Sequence, residues 1–330
     1  MTVEIQQLTP PAVVEQLDYE LILEEMKQQL NGLQPLLLDA DSRQPVVLEA
    51  ELVEAANGER FFKVPVAPDA GLLYLQLESE PVVKQLQVGA YREMLVRQRI
   101  NTAAKAVMLA YSTGSDLEHL GVLFGVSRLV VDPGDPDALP PVEPTRESDE
   151  RLRRRIQIAL EGITTAGSVG SYTFHALSAS GSVRDVSVVR PSEGEVAVTV
   201  LSESGNGQPD QALLDVVAAG LSAEDVRPLN DHLSVQAAEI VEYSVEAVLT
   251  VFGGPDAEVV RQSAELAVTA YVSGQRRIGR DITLSGLYAS LHRSGVQNVQ
   301  LVSPVADIGI SGSQAAWCTG ISVSAGVGNE

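Results

Sequence analysis

Two stretches of the chain repeat one local plan. Residues 171–191 read SYTFHALSASGSVRDVSVVRP, and residues 285–304 read SGLYASLHRSGVQNVQLVSP. Each combines a helical pattern, a Ser-Gly stop, a strand pattern and a proline. We therefore predict two related α+β modules, at 146–240 and 241–330, although a chance match of a common plan is the alternative. The matching positions are Leu177 with Leu291, Gly181 with Gly295, and, after a one-residue gap, Val183 with Val296, Val186 with Val299 and Pro191 with Pro304.

Three further segments precede these modules, so we predict a multi-domain α+β fold. Residues 1–35 are predicted to form an N-terminal helix for a bundle between chains, 36–90 a β-rich segment, and 91–145 a helical segment that ends in a linker. The linker prediction rests on the run VVDPGDPDALPPVEPTRESDE, because proline, aspartate and glycine interrupt regular structure. The length of 330 residues allows two or three domains, since one usually takes about 100–200 residues.

The first helical pattern is PPAVVEQLDYELILEEMKQQL, residues 10–30. Val13, Leu17, Leu21 and Ile22 recur at near-helical spacing, and the helix is acidic at the positions predicted to be exposed. The helix has few sequence neighbours on which to pack. We therefore predict that these four side chains bind another chain.

A β-hairpin is predicted where the strand patterns PVVLEAELVEA and NGERFFKVPVAP meet. The turn would be Asn57-Gly58, because this pair tolerates the positive φ angles of a tight hairpin. The following run GLLYLQLESE, residues 71–80, is either a strand or a loop.

A basic helix is predicted at residues 90–111, AYREMLVRQRINTAAKAVMLAY. Arg92, Arg97 and Arg99 make it stand out in an acidic chain. These side chains either meet an acidic surface of a partner or pair with carboxylates of this chain. The second alternative needs no partner and is the default.

Composition restricts the partners and the compartment. The formal net charge is −21, which opposes binding to nucleic-acid phosphates and to anionic lipid. Cys318 is the one cysteine, so neither an internal disulfide nor a multi-cysteine zinc site is expected. No secretory signal and no membrane-spanning run is recognised. We expect a protein that binds neither nucleic acid nor membrane and is not exported by the general pathway.

A cluster of acids and a histidine lies in residues 110–128, AYSTGSDLEHLGVLFGVSR, and suggests a metal or acid–base site. Ser115 and Glu118 also fit the S-x-x-E capping box, in which each side chain bonds to a backbone N–H of the first turn. Asp116 suits the positive end of the helix dipole, and His119 falls on the polar side. Helix capping accounts for the cluster without a metal.

The turn from Gly205 to Asp210 lies between a strand and a helix and is the best candidate for a phosphate site of a soluble α+β enzyme. Glu203 and Asp210 would repel a phosphate, and the later residues of the known phosphate loops are missing. The histidines lack the H-x-x-x-H spacing of a helix-borne metal pair. We predict no catalytic, cofactor-binding or metal-binding residue, and no enzyme. The four histidines are His119, His175, His232 and His292.

Five segments, in this order, resemble the baseplate J-like family. They are RINTAAKAVMLAYSTGSDLEHLGVLFGVSR, ESDERLRRRIQIALE, AGSVGSYTFHALSASGSVRDVSVV, VRPLNDHLSVQAAEIVEYSVEAVLTV and GRDITLSGLYASLHRSGVQNVQLVSP. The resemblance extends over residues 91–304. No single segment is decisive, but the order of all five is specific.

The resemblance implies a structural wedge subunit in the baseplate of a contractile phage tail or R-type pyocin. The implied partners are a second copy of the chain, a smaller wedge protein similar to phage tail protein I, a lysozyme-like sheath-initiator protein, and the hub and tube. Six wedges would close a ring that nucleates the sheath and rearranges on contraction. The protein would assemble in the bacterial cytoplasm and then belong to the tail particle. The alternative is the baseplate of a secretion-like contractile injection system.

Overall fold

The computed structural model confirms a multi-domain α+β protein and divides it into two compact units, one within residues 3–112 and one within 113–330. No helix among the described residues is long and apolar enough to cross a membrane. The described residues are 9, 11–33, 51–54, 60–63, 81–164, 167–253 and 256–327.

The first unit contains the helices α1 (Tyr19–Leu33) and α2 (Pro81–Ala106). The prediction that the first helix begins at residue 10 is wrong, because Asp18 caps it. Asp18 Oδ1 accepts from the backbone N–H of Glu20 at 2.9 Å and of Leu21 at 3.3 Å. Helix α2 begins before the predicted residue 90, at a proline whose fixed φ suits the first helical position.

The strands β1 (Glu51–Glu54) and β2 (Arg60–Lys63) are antiparallel, with Glu51 opposite Lys63. They confirm the predicted hairpin. Its Asn57-Gly58 turn and the run at 71–80 lie outside the described residues.

Helices α1 and α2 pack against each other in antiparallel fashion. The backbone N–H of Glu15, just before α1, donates to Oδ1 of Asn101, near the end of α2, at 3.1 Å. Asn101 Nδ2 donates to the carbonyl of Glu15 at 2.8 Å. Ile22, Leu23 and Ala90 are buried between the helices. The expectation that the N-terminal helix lacks a partner within its own chain is therefore wrong. The sequence concealed this because some fifty residues separate the helices.

The second unit begins with a helical part that leads into the first module, residues 169–237. Strand β6 lies at the centre of this module, antiparallel to β5 and parallel to β7, with α5 and α6 in the same apolar core. The elements are α3 (Gly114–Val122), β3 (Val130–Asp132), β4 (Thr145–Arg146), α4 (Asp149–Ile158), a 3-10 helix (Ala159–Ile163), α5 (Val169–Ala179), β5 (Val183–Val189), β6 (Glu195–Ser202), α6 (Gln211–Leu221) and β7 (His232–Ala237).

The second module, residues 239–327, has its own three-stranded sheet and core. Strand β8 is central, antiparallel to β9 and parallel to β10. Every second residue of β8 from Tyr243 to Val251 is buried, as the alternating pattern predicts. The elements are β8 (Glu239–Val251), α7 (Ala257–Gln275), α8 (Leu284–Leu291), β9 (Val296–Ser303) and β10 (Gln314–Val327).

The two modules share a spatial plan but differ in chain order. Each has a central strand with an antiparallel and a parallel neighbour. In the first module the α5–β5 unit precedes the β6–α6 unit, whereas in the second the β8–α7 unit precedes the α8–β9 unit. The repeated sequences are therefore equivalent helix–strand units that occupy different places along the chain.

The C-terminal run GISVSAGVGNE, residues 320–330, predicts a short strand, and this length is wrong. Strand β10 spans 14 residues and pairs with β8 from Gln314 opposite Glu239 to Val327 opposite Val251. Its serines, alanines and glycines have weak strand propensity. The strand forms because it is paired with the long central strand β8.

Candidate functional site

The acid–histidine cluster of α3 belongs to an ion-pair network. Helix α3 begins at Gly114, and Ser115 lies within its first turn, so the predicted capping box is wrong. Glu118 Oε1 instead accepts from Arg128 Nε at 2.6 Å. Arg128 also donates to Asp149 at 2.6 Å. The Arg128 side chain is only 9% exposed. A buried charge without a partner costs more free energy than an uncapped helix end, so Glu118 pairs with Arg128.

Asp149 joins this network to the start of α4. Its Oδ2 accepts from the backbone N–H of Gly114 at 3.0 Å. Burial acts to raise the pKa of Asp149, but the hydrogen bonds from Arg128 and Gly114 outweigh it and lower the pKa. Asp149 therefore holds the first turns of α3 and α4 together.

The histidines do not converge. His119 and His292 are exposed, and His175 Nε2 lies 3.1 Å from the carbonyl of Gly162. Within the described residues, no group of three or more His, Cys, Asp or Glu side chains is placed to hold a metal ion.

The turn from Gly205 to Asp210 starts a helix. Asp210 is the N-cap of α6 and accepts from the N–H of Leu213 at 2.8 Å. Glu203 lies at the mouth of this turn, where Arg184 and Arg151 bind its two carboxylate oxygens at 2.7 and 3.4 Å. The geometry gives the turn a structural role.

Arginines connect the two modules of the second unit. Arg184 of β5 donates from Nε to the carbonyl of Arg276 and from Nη2 to the carbonyl of Ser273, both at 2.9 Å. Arg276, the C-cap of α7, donates from Nη2 to the carbonyl of Gly205 in the first module at 2.8 Å. Its guanidinium also lies 4.4 Å from the centre of the Trp317 ring. We call these contacts the arginine junction.

Two further contacts extend the arginine junction. Asp185 Oδ2 accepts from the N–H of Ile278 at 3.0 Å, and Asp185 Oδ1 pairs with Arg154 at 2.7 Å. Arg277 pairs with Glu150 of α4 at 2.6 Å. Helix α4 is therefore linked to both modules.

Burial disfavours the charged form of two arginines, one in the arginine junction and one next to it. Burial lowers the pKa of Arg151 below its usual value, and the charges of Arg184 and Arg155 act in the same direction. Burial likewise lowers the pKa of Arg276, with a further contribution from Arg184. Sequence reasoning missed this cluster. The signals were the runs RLRRR at 151–155 and RR at 276–277 in an otherwise acidic chain.

The predicted apolar binding residues face different surroundings. Ile22 is buried against α2, and Leu17 is half-buried. Val13 and Leu21 are exposed at 54% and 64%. Val13 and Leu17 precede α1, so the four side chains do not form one helical stripe. A role in binding stays a prediction for them.

The three predicted basic residues also differ in their surroundings. Arg97 is 35% exposed and pairs with three carboxylates of its own unit, those of Glu93, Glu15 and Glu25, so the internal alternative holds for this side chain. Arg92 and Arg99 are exposed on the opposite side of α2. Their binding role stays a prediction.

The side of α2 that faces away from α1 is apolar and exposed. Val88, Leu95, Arg92 and Arg99 lie opposite the buried Ala90, and the other exposed apolar side chains lie on the flanks of the helix. We call this surface the outer face of α2. Its apolar members are Val88 (64% exposed), Tyr91 (51%), Leu95 (41%), Val96 (59%) and Ile100 (56%).

An exposed apolar helix face, in a chain whose polar clusters serve packing, is typical of a structural protein that works in an assembly. Three family models match the chain in succession: the baseplate J-like N-terminal domain at residues 78–135, the central domain at 164–237 and the C-terminal domain at 243–324. The chain belongs to the baseplate J-like family and is a structural component of a phage-type baseplate.

A sequence relative agrees with the family. The chain is 42% identical to baseplate protein J of Escherichia phage P2 over 328 residues, which is 99% of each chain. Among solved structures, a chain of the anti-feeding prophage baseplate, determined by cryo-electron microscopy with 6-fold symmetry, is 17% identical. That match has a TM-score of 0.37 and covers 54% of this chain and 43% of the other.

Proposed function

We propose that this protein is a wedge subunit of a contractile-tail baseplate, without catalytic activity, and that six wedges form a ring around the hub and tube. The observation that carries the proposal is the outer face of α2. It presents apolar side chains to solvent over residues 88–100 of a 26-residue helix. In an assembly, a partner helix would cover them.

The chemistry of this face favours an acidic, amphipathic helix as its partner. Val88, Leu95 and Ile100 would supply apolar contact, at about 25 cal/mol for each Å² of apolar surface removed from water. Arg92 and Arg99 would pair with carboxylates at the rim. The outward positions of α1, with Leu21 among glutamates, offer such a surface in a second copy of the chain.

We propose as partners a second copy of the chain, a smaller wedge protein similar to phage tail protein I, a lysozyme-like sheath initiator and the hub. The ring would nucleate the sheath and rearrange on contraction, after assembly in the bacterial cytoplasm. The tail of a phage or an R-type pyocin is the proposed setting. Gene neighbourhood distinguishes these from a secretion-like injection system.

The test is co-expression of the full chain with the neighbouring tail proteins, followed by size-exclusion chromatography with light scattering. The variant Leu95→Glu/Ile100→Glu places charge on the outer face of α2 and is expected to abolish the complex. The control is Leu266→Glu on α7, an apolar position that is 73% exposed, compared with 41% for Leu95 and 56% for Ile100. A complex that survives in the first variant, or is lost in both, contradicts the proposed surface.

A further inference from the structure

A cleft of about 290 Å³ opens between the start of α4, strand β5 and the end of α7. Guanidinium groups dominate its lining, although the chain as a whole carries a net charge of −21. Two carboxylates, Glu150 and Glu203, share the lining with them. The arginines are Arg151, Arg154, Arg155, Arg184 and Arg277.

The carboxylates around the cleft do not neutralise all of these arginines. Glu203 is shared between Arg151 and Arg184. Arg155 pairs with Glu147, which lies outside the lining. The lining arginines therefore outnumber the carboxylates that contact them, and one carboxylate must serve two of them.

Arg154 and Arg277 are the accessible members, with side chains 32% and 30% exposed. Each forms its ion pair through Nη2, to Asp185 and to Glu150 respectively. Both side chains line the cleft, and each guanidinium has further N–H donors besides the one in its ion pair. Guanidinium groups are the side chains that bind carboxylate and phosphate oxygens most readily.

We propose that this cleft is a binding site for an oxyanion, with Arg154 and Arg277 as its ligands. Phosphate and the carboxylate of an acidic peptide share the required chemistry. The proposal is independent of the wedge assignment, because it concerns the isolated chain.

Glu150 then acts as an internal competitor. Its carboxylate lies 2.6 Å from Arg277 Nη2, and its side chain is 56% exposed. An exposed pair of this kind is weak, so an entering anion can displace it. Removing the charge of Glu150 should therefore strengthen binding, which a purely structural role of the arginines would not produce.

The test is isothermal titration calorimetry of the full chain at constant ionic strength, with inorganic phosphate and with a tetraglutamate peptide as probes. Arg277→Gln is expected to weaken binding on the order of tenfold. Glu150→Gln is expected to tighten it. Arg293→Gln, an exposed arginine outside the cleft, is expected to leave it unchanged.

The outcomes separate the sources of the anion. Binding of both probes supports a site for free anions, and binding of the peptide alone supports a carboxylate from a partner chain. The absence of binding by either probe overturns the proposal. So does an affinity that is unchanged in Arg277→Gln, falls in Glu150→Gln, or falls equally in Arg293→Gln.

Discussion

Arg184 Nε donates to the backbone carbonyl of Arg276 at 2.9 Å and so joins strand β5 of the first module to the end of α7 in the second. Helix ends leave carbonyls without intrahelical partners, and a guanidinium satisfies several of them at once. Arg184 does this while its Nη1 pairs with Glu203. One side chain therefore connects the two modules with each other and with the loop that follows β6.

Loss of Arg184 should destabilise the second unit. Arg184→Ala removes charge-assisted hydrogen bonds from the carbonyls of Ser273 and Arg276 and leaves Glu203 with Arg151 alone. The expected loss in the free energy of unfolding is about 2–4 kcal/mol. Chemical denaturation measures it. Arg190→Ala, at an exposed position, should change stability by less than about 0.5 kcal/mol; equal effects would contradict the junction.

The pair of Glu147 and Arg155 is the most buried ion pair among the described residues, with side chains 0% and 6% exposed and 2.5 Å between Oε1 and Nη1. Glu147→Ala leaves a buried guanidinium without its carboxylate and should cost about 3–5 kcal/mol. The double variant Glu147→Leu/Arg155→Met should recover part of this loss, because both charges are gone. Thermal unfolding compares the two. A double variant less stable than Glu147→Ala would contradict this interpretation.

Glu258 should titrate far below its usual range. Hydrogen bonds from Arg261, at 2.9 and 2.8 Å, and from Gln262 lower its pKa from 4.5 to about 2. Because the folded-state pKa is below the unfolded one, its contribution to stability is present above about pH 4.5 and is lost as the pH falls toward 2. Carboxyl NMR titration should give a midpoint near 2, and Arg261→Gln should move it back toward 4.5. An unchanged midpoint would rule out the pairing.

Two glycines should respond to alanine in opposite directions. A Cβ at Gly181 would lie 2.1 Å from the backbone oxygen of Val130, so Gly181→Ala forces a shift of the backbone between α5 and β5. We expect a loss of about 1–3 kcal/mol. Gly220 lies in α6 with ordinary contacts, and Gly220→Ala should stabilise by about 0.5–1 kcal/mol. Denaturant unfolding of both variants provides the test, and effects of the same sign would contradict it.

Local patterns predicted most elements of the two modules because their determinants are local. The N-cap Ser148 accepts from the N–H of Arg151, three residues along the chain. The alternation along β8 gives the buried face. The hairpin strands β1 and β2 follow from their own sequence. In each case the residues that decide the structure are close in sequence.

Long-range partners account for the errors. Helix α1 packs on α2, which lies far along the chain. Glu118 forms an ion pair with Arg128 and does not cap α3. Strand β10 takes its length from β8. The arginine junction joins residues about ninety positions apart, a separation that no local pattern encodes.

The most direct test of the wedge assignment is cryo-electron microscopy of purified tail particles that contain this chain. The proposal predicts density for the chain in a six-fold ring around the tube, with the outer face of α2 covered by a helix of a partner chain. A particle whose baseplate ring lacks this chain, or in which that face remains exposed to solvent, would contradict it.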